Sequence, residues 1–168
     1  SYPVFALAHL LGIQLMPRIR GIQDLKFHRP QAGTVYQNIN TLFSDVIDWQ
    51  LIELHLPAML RVAVSIKTGK ITPSAILRRL GTYSRKNKLY FAFVELGKVI
   101  RTMFLLSYIG DVGLRKVIHA ETNKSEQFNG FAGWSFFGGE GIIAENIRHE
   151  QRKVIKYNHL VANMIILH

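Results

Sequence analysis

The side chains of this chain that could do acid–base or metal chemistry are its 11 acidic residues and 7 histidines, since it has no cysteine. Disulfides, thiolate nucleophiles and zinc clusters that need cysteine are therefore excluded. No two histidines have the ligand spacing of a His-Glu-x-x-His helix, although His149-Glu150 comes close. We predict that all the histidines are structural or lie on the surface, and that His28 is the one that could meet a phosphate.

Two further segments contain a glutamate, a residue type that can act in catalysis, but neither matches a catalytic motif. In Asn123-Lys124-Ser125-Glu126, Glu126 taken alone is typical of a surface glutamate near a helix start, where the helix dipole favours an acid. Gly138-Gly139-Glu140-Gly141 lacks the Lys-Ser/Thr pair of a P-loop and follows no predicted strand, so it predicts a turn. Residue types alone thus identify no catalytic centre.

Basic side chains outnumber acidic ones, 21 to 11, and give the chain a formal charge of +10. Such a surface attracts polyanions, and nucleic acid is the first partner to consider. A solvated surface is the plain alternative, and an anionic membrane is a weaker one because the charges are scattered along the chain. The predicted DNA contacts are Arg18, Arg20, Lys26, Arg29, Lys67, Lys70, Arg78, Arg79, Arg85, Lys86, Lys88 and Lys124.

An aromatic segment at residues 128–137 offers a second route to nucleic acid, because aromatic rings can stack on unpaired bases. Aromatic residues at helical spacing more often belong to a core. We therefore predict that this segment is core.

The first elements that must position these groups are a helix and a short strand. Apolar residues recur at helical spacing up to Gly12, which predicts a buried helix that ends there. The following residues, to Ile22, are predicted to be extended chain. Lys26-Phe27-His28-Arg29-Pro30 is a candidate strand ended by its proline, and no further strand is evident.

From residue 35 onward the pattern predicts helices almost throughout. An apolar face that starts at Val46 predicts one helix, and Pro57 either interrupts that helix or opens the next one. Thr72 as N-cap, Pro73 at the first helical position and Gly81 as the stop delimit a short helix.

The remaining sequence predicts three more helices. A long apolar helix stops near Gly110, Asp111 caps the next one, and the last runs from about Asn146. No internal repeat or low-complexity linker separates them, which favours a single domain.

Several sequence segments, taken in order, resemble those of a known family more closely than any single motif does. The segments are Val4-Phe5-Ala6-Leu7-Ala8-His9-Leu10-Leu11-Gly12, Pro17-Arg18-Ile19-Arg20, Leu60-Arg61-Val62-Ala63-Val64-Ser65-Ile66 with Lys67 and Gly69, Ile76-Leu77-Arg78-Arg79-Leu80-Gly81, Glu95-Leu96-Gly97-Lys98 with Arg101-Thr102, and Asn123-Lys124-Ser125-Glu126. They resemble the part that follows the second catalytic aspartate in transposases of the Tn-three family, the replicative class II transposons. The likeness covers nearly the whole chain.

The resemblance implies a mainly α fold, the C-terminal portion of an RNase H-like α/β catalytic (DDE) domain with few short strands near the N-terminus. Residues 1–168 would be one fragment of that domain, with a helical insertion at about 21–122 and helices carrying the catalytic glutamate at 123–168. By this match Glu126 is the catalytic residue and a ligand of Mg²⁺ or Mn²⁺. The two aspartates of the same site would lie upstream of Ser1, the nearer by only a few residues.

The implied function is DNA transposition, in which transposon ends are cut and the 3′-hydroxyl is joined to target DNA by two-metal phosphoryl transfer. The implied partners are transposon-end and target DNA, the remainder of the transposase chain and a second copy in a homodimer, in the bacterial cytoplasm at the nucleoid and without a membrane. With one carboxylate of three, the isolated chain should be inactive.

The sequence departs from the family at two places. Ser125 stands where the family usually has glycine, and Leu56-Pro57 where it usually has Trp-Asp. The alternative to a transposase is therefore a non-catalytic, degenerate helical fragment that binds DNA.

Overall fold

The computed structural model describes residues 1–19, 21, 25–82, 87–136 and 143–167. Within these ranges the chain is mostly helical, which confirms the predicted mainly α architecture. The elements are α1 (Tyr2–Leu10), β1 (Phe27–Arg29), a short 3-10 helix (Asn40–Leu42), β2 (Phe43–Val46), α2 (Trp49–Lys67), α3 (Pro73–Thr82), α4 (Lys88–Gly110), α5 (Val112–Trp134) and α6 (Arg148–Leu167). They form two compact units, residues 1–115 and 116–168.

The helix α1 confirms the first sequence prediction. It carries a proline in its first turn, where the missing N–H costs no hydrogen bond. Gly12 follows the helix with φ of +79°, a left-handed conformation that glycine adopts without steric cost.

The predicted strand at residues 26–30 is confirmed as β1, but a second strand was missed. β2 pairs with β1 in parallel, with Phe27 opposite Phe43 and the two rings stacked at 5.2 Å between centroids. The prediction of helices from residue 35 onward is therefore wrong before Asp48. Phe43 and Val46 have helical spacing, and the partner that makes this segment a strand is distant in sequence.

The helix α2 runs without interruption through Pro57, so the prediction that this proline ends one helix or opens another is wrong. A proline inside a helix costs about 3 kcal/mol, because it removes one backbone hydrogen bond and crowds the preceding turn. Burial of Ile52, Met59 and Ala63 against the core offsets that cost. Asp48 caps the helix by accepting the Leu51 N–H at 2.9 Å.

The helix α4 is the centre of the first unit and packs against α1, α2, α3 and β1. The core of this unit contains Ala6, Leu7, Ile47, Ile52, Met59, Ile76, Ala92 and Phe93. Helix α1 approaches α4 so closely at Gly97 that a Cβ there would lie 2.0 Å from the Tyr2 carbonyl oxygen. The predicted Thr72 cap of α3 is confirmed by an Ala75 N–H bond to its hydroxyl at 3.4 Å.

Most of α5 belongs to the second unit, together with α6. Asp111 caps α5 as predicted, accepting the Leu114 N–H at 3.0 Å. The helix continues through residues 121–126, so Glu126 lies well inside a helix and the prediction that it is near a helix start is wrong. Phe128 and Trp134 are 43% and 76% exposed, so the predicted aromatic core is wrong for these two residues. Phe131 and Phe136 are half-buried, and Phe137 lies outside the described residues. Helical spacing shows which residues share a face, but not whether anything covers it.

Candidate functional site

Glu126 is exposed on α5, with its carboxylate on the surface of the second unit. One turn further along the same helix, Asn129 lines a cavity of about 360 Å³. Ala132, Gly133, Phe136, Ile143, Ile155, Asn158 and His159 also line it. The Glu126 side chain thus lies on the surface of the second unit, on the helix that borders this cavity.

Divalent-metal binding at Glu126 requires further oxygen donors. In the described ranges no three His, Asp or Glu side chains converge as a metal site. Glu126 offers one hard oxygen donor of the type that Mg²⁺ and Mn²⁺ prefer, and any site built on it needs donors from outside these residues. The assignment of Glu126 as catalytic residue and metal ligand therefore stays a prediction.

Of the predicted DNA contacts, four lie on consecutive elements of the first unit. Lys67 ends α2, Lys70 follows in the next turn, and Arg78 and Arg79 lie on α3. All four are exposed, and we call them the α2–α3 corner. The turn between the helices passes through Gly69, whose φ is +72°.

The other predicted contacts are dispersed. Arg18, Lys26 and Lys88 are exposed. Lys124 is exposed and forms an ion pair with Glu121 at 2.6 Å, an arrangement that contributes little stability on a helix surface. The remaining three, Arg20, Arg85 and Lys86, lie outside the described residues.

Arg29 is occupied within the protein. Its guanidinium donates to the carbonyl oxygens of Thr34, Phe43, Ser44 and Asn40 and to the Asn40 side-chain oxygen, at 2.6 to 3.3 Å. These bonds use the five N–H donors that a guanidinium has. The geometry thus assigns Arg29 to holding the loop between the two strands, and we leave it out of the DNA interface proposed below.

A partly buried polar network that the sequence did not predict joins α1, both strands and α4. It contains Tyr2, His28, Asp45, Lys98 and Glu95, and we call it the α4 polar network. The His28 ring contacts the Tyr2 hydroxyl through Nε2 and the Asp45 carboxylate through Nδ1, both at 2.9 Å. Lys98 Nζ then bridges Asp45 Oδ2 at 2.6 Å and Glu95 Oε1 at 2.7 Å.

The acceptors in this network fix the tautomer of His28. The Asp45 carboxylate can only accept, so Nδ1 of His28 carries the proton and donates it. Nε2 of a neutral ring is then the acceptor of the Tyr2 O–H. The His28 backbone N–H donates to Thr102 Oγ1 at 3.1 Å, so α4 holds β1 from a second point.

The surroundings shift the pKa values of three network members. Burial lowers the pKa of His28 below its usual value, and this outweighs the upward pull of the Asp45 carboxylate. Burial raises the pKa of Asp45, but the hydrogen bonds from Lys98 and Ser44 outweigh it and the net pKa is well below normal. Burial lowers the pKa of Lys98, and its bonds to Asp45 and Glu95 reverse this and raise it. Near neutral pH the network thus contains a neutral histidine and a charged Asp–Lys pair.

We predict that the free energy of unfolding falls as the pH drops from about 7 to about 5. His28 has a lower pKa in the folded chain, so it is neutral in both states above its unfolded pKa of 6.5 and resists protonation only in the folded state below that value. The contribution of the His28 ring to the free energy of unfolding is therefore complete above pH 6.5 and is lost as the pH falls below that value. Chemical denaturation at several pH values measures this slope.

In the same experiment His28→Asn should reduce the acid slope of stability. His149→Asn, at an exposed histidine of α6, is the matched control and should leave the slope unchanged. An identical slope in the His28 variant and the parent would contradict the assignment of the acid sensitivity to this ring.

One sequence signal could have revealed this network. After Lys88, the charged residues of the otherwise apolar helix α4 are Glu95, Lys98 and Arg101, at three-residue spacing. Charges that repeat every three residues share one helix face. The partners from α1 and β2 could not be identified in this way, because they are distant in sequence.

Comparison with known proteins gives consistent matches along the chain. The family model described as "Tn3 transposase DDE domain" matches residues 1–168. The transposase for transposon Tn21 of Escherichia coli is 38% identical over 164 residues, covering 98% of this chain and 17% of that protein. The transposase for transposon Tn501 of Pseudomonas aeruginosa matches at 38% with the same coverage.

A third relative provides a similar match. The transposase for transposon Tn1546 of Enterococcus faecium is 35% identical over 159 residues, covering 94% of this chain and 16% of that protein. The chain thus spans about one sixth of the length of these relatives. In the part of the chain that the structure describes, no helix is both long and apolar enough to cross a membrane.

Proposed function

Because this chain belongs to the family of Tn3 transposase DDE domains, we propose that it acts in DNA transposition as part of a longer transposase. The observation that carries the proposal is the family match across residues 1–168. The reaction we propose is cleavage of transposon ends, followed by transfer of the 3′-hydroxyl to target DNA. Its partners are transposon-end and target DNA, the remainder of the transposase and a second copy in a homodimer.

The catalytic contribution that we propose for this chain is the Glu126 carboxylate. It would hold Mg²⁺ or Mn²⁺ together with two aspartates that lie upstream of Ser1 in the longer protein. When bound, such ions activate the attacking oxygen and stabilise the leaving oxygen of a phosphodiester displacement. The exposure of Glu126 on α5 supports this role, since a ligand shared with other segments must be accessible to them.

The fold assignment that accompanies this function is also a proposal. We propose that residues 1–168 are one fragment of an RNase H-like DDE domain, with residues of about 21–122 as a helical insertion and 123–168 as helices that carry Glu126. Two short parallel strands followed by helices are compatible with that origin.

Both departures from the family pattern are accommodated by the helices in which they lie. Ser125 turns its hydroxyl back to the Glu121 carbonyl at 3.2 Å, a bond that helices tolerate. Pro57 lies within the continuous helix α2. These features favour an intact domain over the degenerate, non-catalytic DNA-binding fragment, which stays the second candidate function.

We propose that the α2–α3 corner, Lys67, Lys70, Arg78 and Arg79, contacts the DNA backbone. Phosphate contacts need exposed cations, which these residues supply on consecutive elements. Arg18, Arg20, Lys26, Arg85, Lys86, Lys88 and Lys124 remain predicted contacts outside this corner.

The isolated chain tests this proposal. It is expected to bind duplex DNA weakly, with an affinity that falls steeply with salt, and to leave the DNA uncut in Mg²⁺. Replacing Lys67 and Lys70 together with glutamine should reduce the slope of log affinity against log salt by about one for each phosphate that the variant no longer neutralises. Fluorescence anisotropy over a salt series measures this.

Lys153→Gln is the matched control. Lys153 is a lysine of α6 that forms an ion pair with Glu150 at 2.8 Å and is not among the predicted DNA contacts. A reduction of the slope per charge removed that equals that of the double variant would show that net charge, not the α2–α3 corner, governs binding. Metal-dependent cleavage by the isolated chain would contradict the three-carboxylate assignment.

A further inference from the structure

We propose that the α4 polar network positions the start of α1 for the transposition reaction, so that Tyr2, His28 and Lys98 are positioning residues of the active site. This inference rests on the proposed function. It adds a role for residues of the first unit, which carries no proposed catalytic side chain.

The start of α1 is held on two sides at Tyr2. On one side, its hydroxyl donates to His28 Nε2 at 2.9 Å and accepts from Arg101 Nη1 at 3.4 Å. The Arg101 guanidinium also lies over the Tyr2 ring, 5.5 Å from the centroid. On the other side, the Tyr2 backbone packs directly on Gly97 of α4. Both the ring and the main chain of the first helical residue are therefore fixed.

The same network extends from Tyr2 to the start of α2. His28 connects Tyr2 to Asp45, and Lys98 connects Asp45 to Glu95. Glu95 Oε2 then accepts the Asp48 backbone N–H at 3.1 Å, at the N-cap of α2. The starts of α1 and α2 are thus joined by a continuous series of hydrogen bonds that crosses both strands and α4.

The burial of three network members shows that the geometry is constrained. His28 is 4% exposed and the side chains of Lys98 and Glu95 are each 13% exposed, whereas Asp45, which connects His28 to Lys98, is 56% exposed. Buried charges of this kind are costly unless every partner is in place, so they allow few alternative arrangements. Such a network is thus suited to fixing the direction in which the chain enters α1.

The reason to fix this point follows from the proposed function. In the family pattern, the nearer catalytic aspartate precedes α1 by only a few residues. A reacting group that is misplaced by about 1 Å can reduce the rate about a hundredfold. A rigid α1 start would therefore restrict the movement of that aspartate, which is the physical basis of the proposed positioning role.

Two substitutions in the full-length transposase test this inference. Tyr2→Phe removes the hydroxyl but keeps the ring, and Lys98→Met removes the bridging ammonium but keeps most of the side-chain volume. We expect each to raise the half-saturating Mg²⁺ concentration for strand transfer and to slow transfer about tenfold to a hundredfold, with end-DNA affinity unchanged. Tyr157→Phe is the control, because Tyr157 is 67% exposed on α6.

A second readout needs no metal. In the metal-free protein, hydrogen exchange at the Val4 amide, which donates to the Ser1 carbonyl at 3.2 Å, should accelerate in Tyr2→Phe and Lys98→Met and not in Tyr157→Phe. Thermal unfolding, run in parallel, gives the folded fraction of each variant.

The outcomes separate this inference from the proposal on which it rests. Unchanged Mg²⁺ dependence in both variants, or a decrease in transfer that only follows the folded fraction, would overturn the positioning role and leave the proposed function intact. If instead a Glu126→Gln transposase still transfers strands, the proposed function fails first.

Discussion

Replacing Glu126 with glutamine in the full-length transposase is expected to reduce strand cleavage and transfer about a thousandfold, equivalent to about 4 kcal/mol of transition-state stabilisation. Glutamine has the same shape but no charge, so it is a poor ligand for a divalent cation. Because Glu126 is exposed on α5, stability should change by less than about 0.5 kcal/mol. Gel assays of nicked and joined DNA, with end binding measured alongside, give the activity, and thermal unfolding gives the stability.

The matched control for this prediction is Glu121→Gln. Glu121 is an exposed glutamate of the same helix, ion-paired with Lys124 at 2.6 Å, and it has no proposed role in catalysis. We expect its activity to stay within about twofold of the parent, since surface pairs of this kind contribute little. Equal decreases in both variants would mean that α5 tolerates no charge change, and would remove the specific role of Glu126.

Gly97→Ala is expected to have the largest effect on folding. The added methyl would lie 2.0 Å from the Tyr2 carbonyl oxygen and 2.4 Å from its carbonyl carbon, both of them backbone atoms. Relief requires α1 to move away from α4, which disturbs the packing of α1 against the core. We expect a decrease of about 1–3 kcal/mol in the free energy of unfolding, a typical cost of overpacking. Denaturant titration of the chain measures it.

Gly110→Ala provides the comparison within the same helix. No atom lies within 4 Å of a Cβ placed at Gly110, so alanine should be neutral or stabilise by up to about 1 kcal/mol through its better helix propensity. If Gly97→Ala is as stable as Gly110→Ala, α1 does not approach α4 as closely as the structure indicates.

Local signals in the sequence were sufficient to predict where most helices begin or end. Thr72 and Asp111 are caps because their short polar side chains can accept a backbone N–H at a helix start, and both are found doing so. Gly12 ends α1 with a positive φ that glycine adopts readily. These features depend on neighbours within a few residues.

The errors arose where distant residues decide the structure. The strand β2 exists because Phe43 meets Phe27 from β1, and Pro57 lies inside a helix because core packing holds both halves together. The three-residue spacing of Glu95, Lys98 and Arg101 indicated a shared face, but it could not show that Tyr2 and Asp45 meet that face.

Only part of the candidate site could be predicted from the residue types and their spacing. Local pattern placed Glu126 near a helix start, which is wrong, and its proposed role came from the family resemblance alone. Arg29 illustrates the opposite error, since it belongs to a basic cluster in sequence but uses its guanidinium within the protein. Formal charge does not distinguish a cation that faces solvent from one that holds a loop.

The most direct test of the central claim, that the side chain at position 126 coordinates a divalent cation, is a metal-specificity switch. The chain has no cysteine of its own, so Glu126→Cys in the full-length transposase would introduce one thiolate into this segment, with Glu121→Cys as the control. Thiolates prefer softer cations. We predict that the Glu126 variant is inactive in Mg²⁺ and regains strand transfer in Cd²⁺, whereas the control is active in Mg²⁺. Transfer by the Glu126 variant in Mg²⁺ at the parental rate would contradict direct coordination.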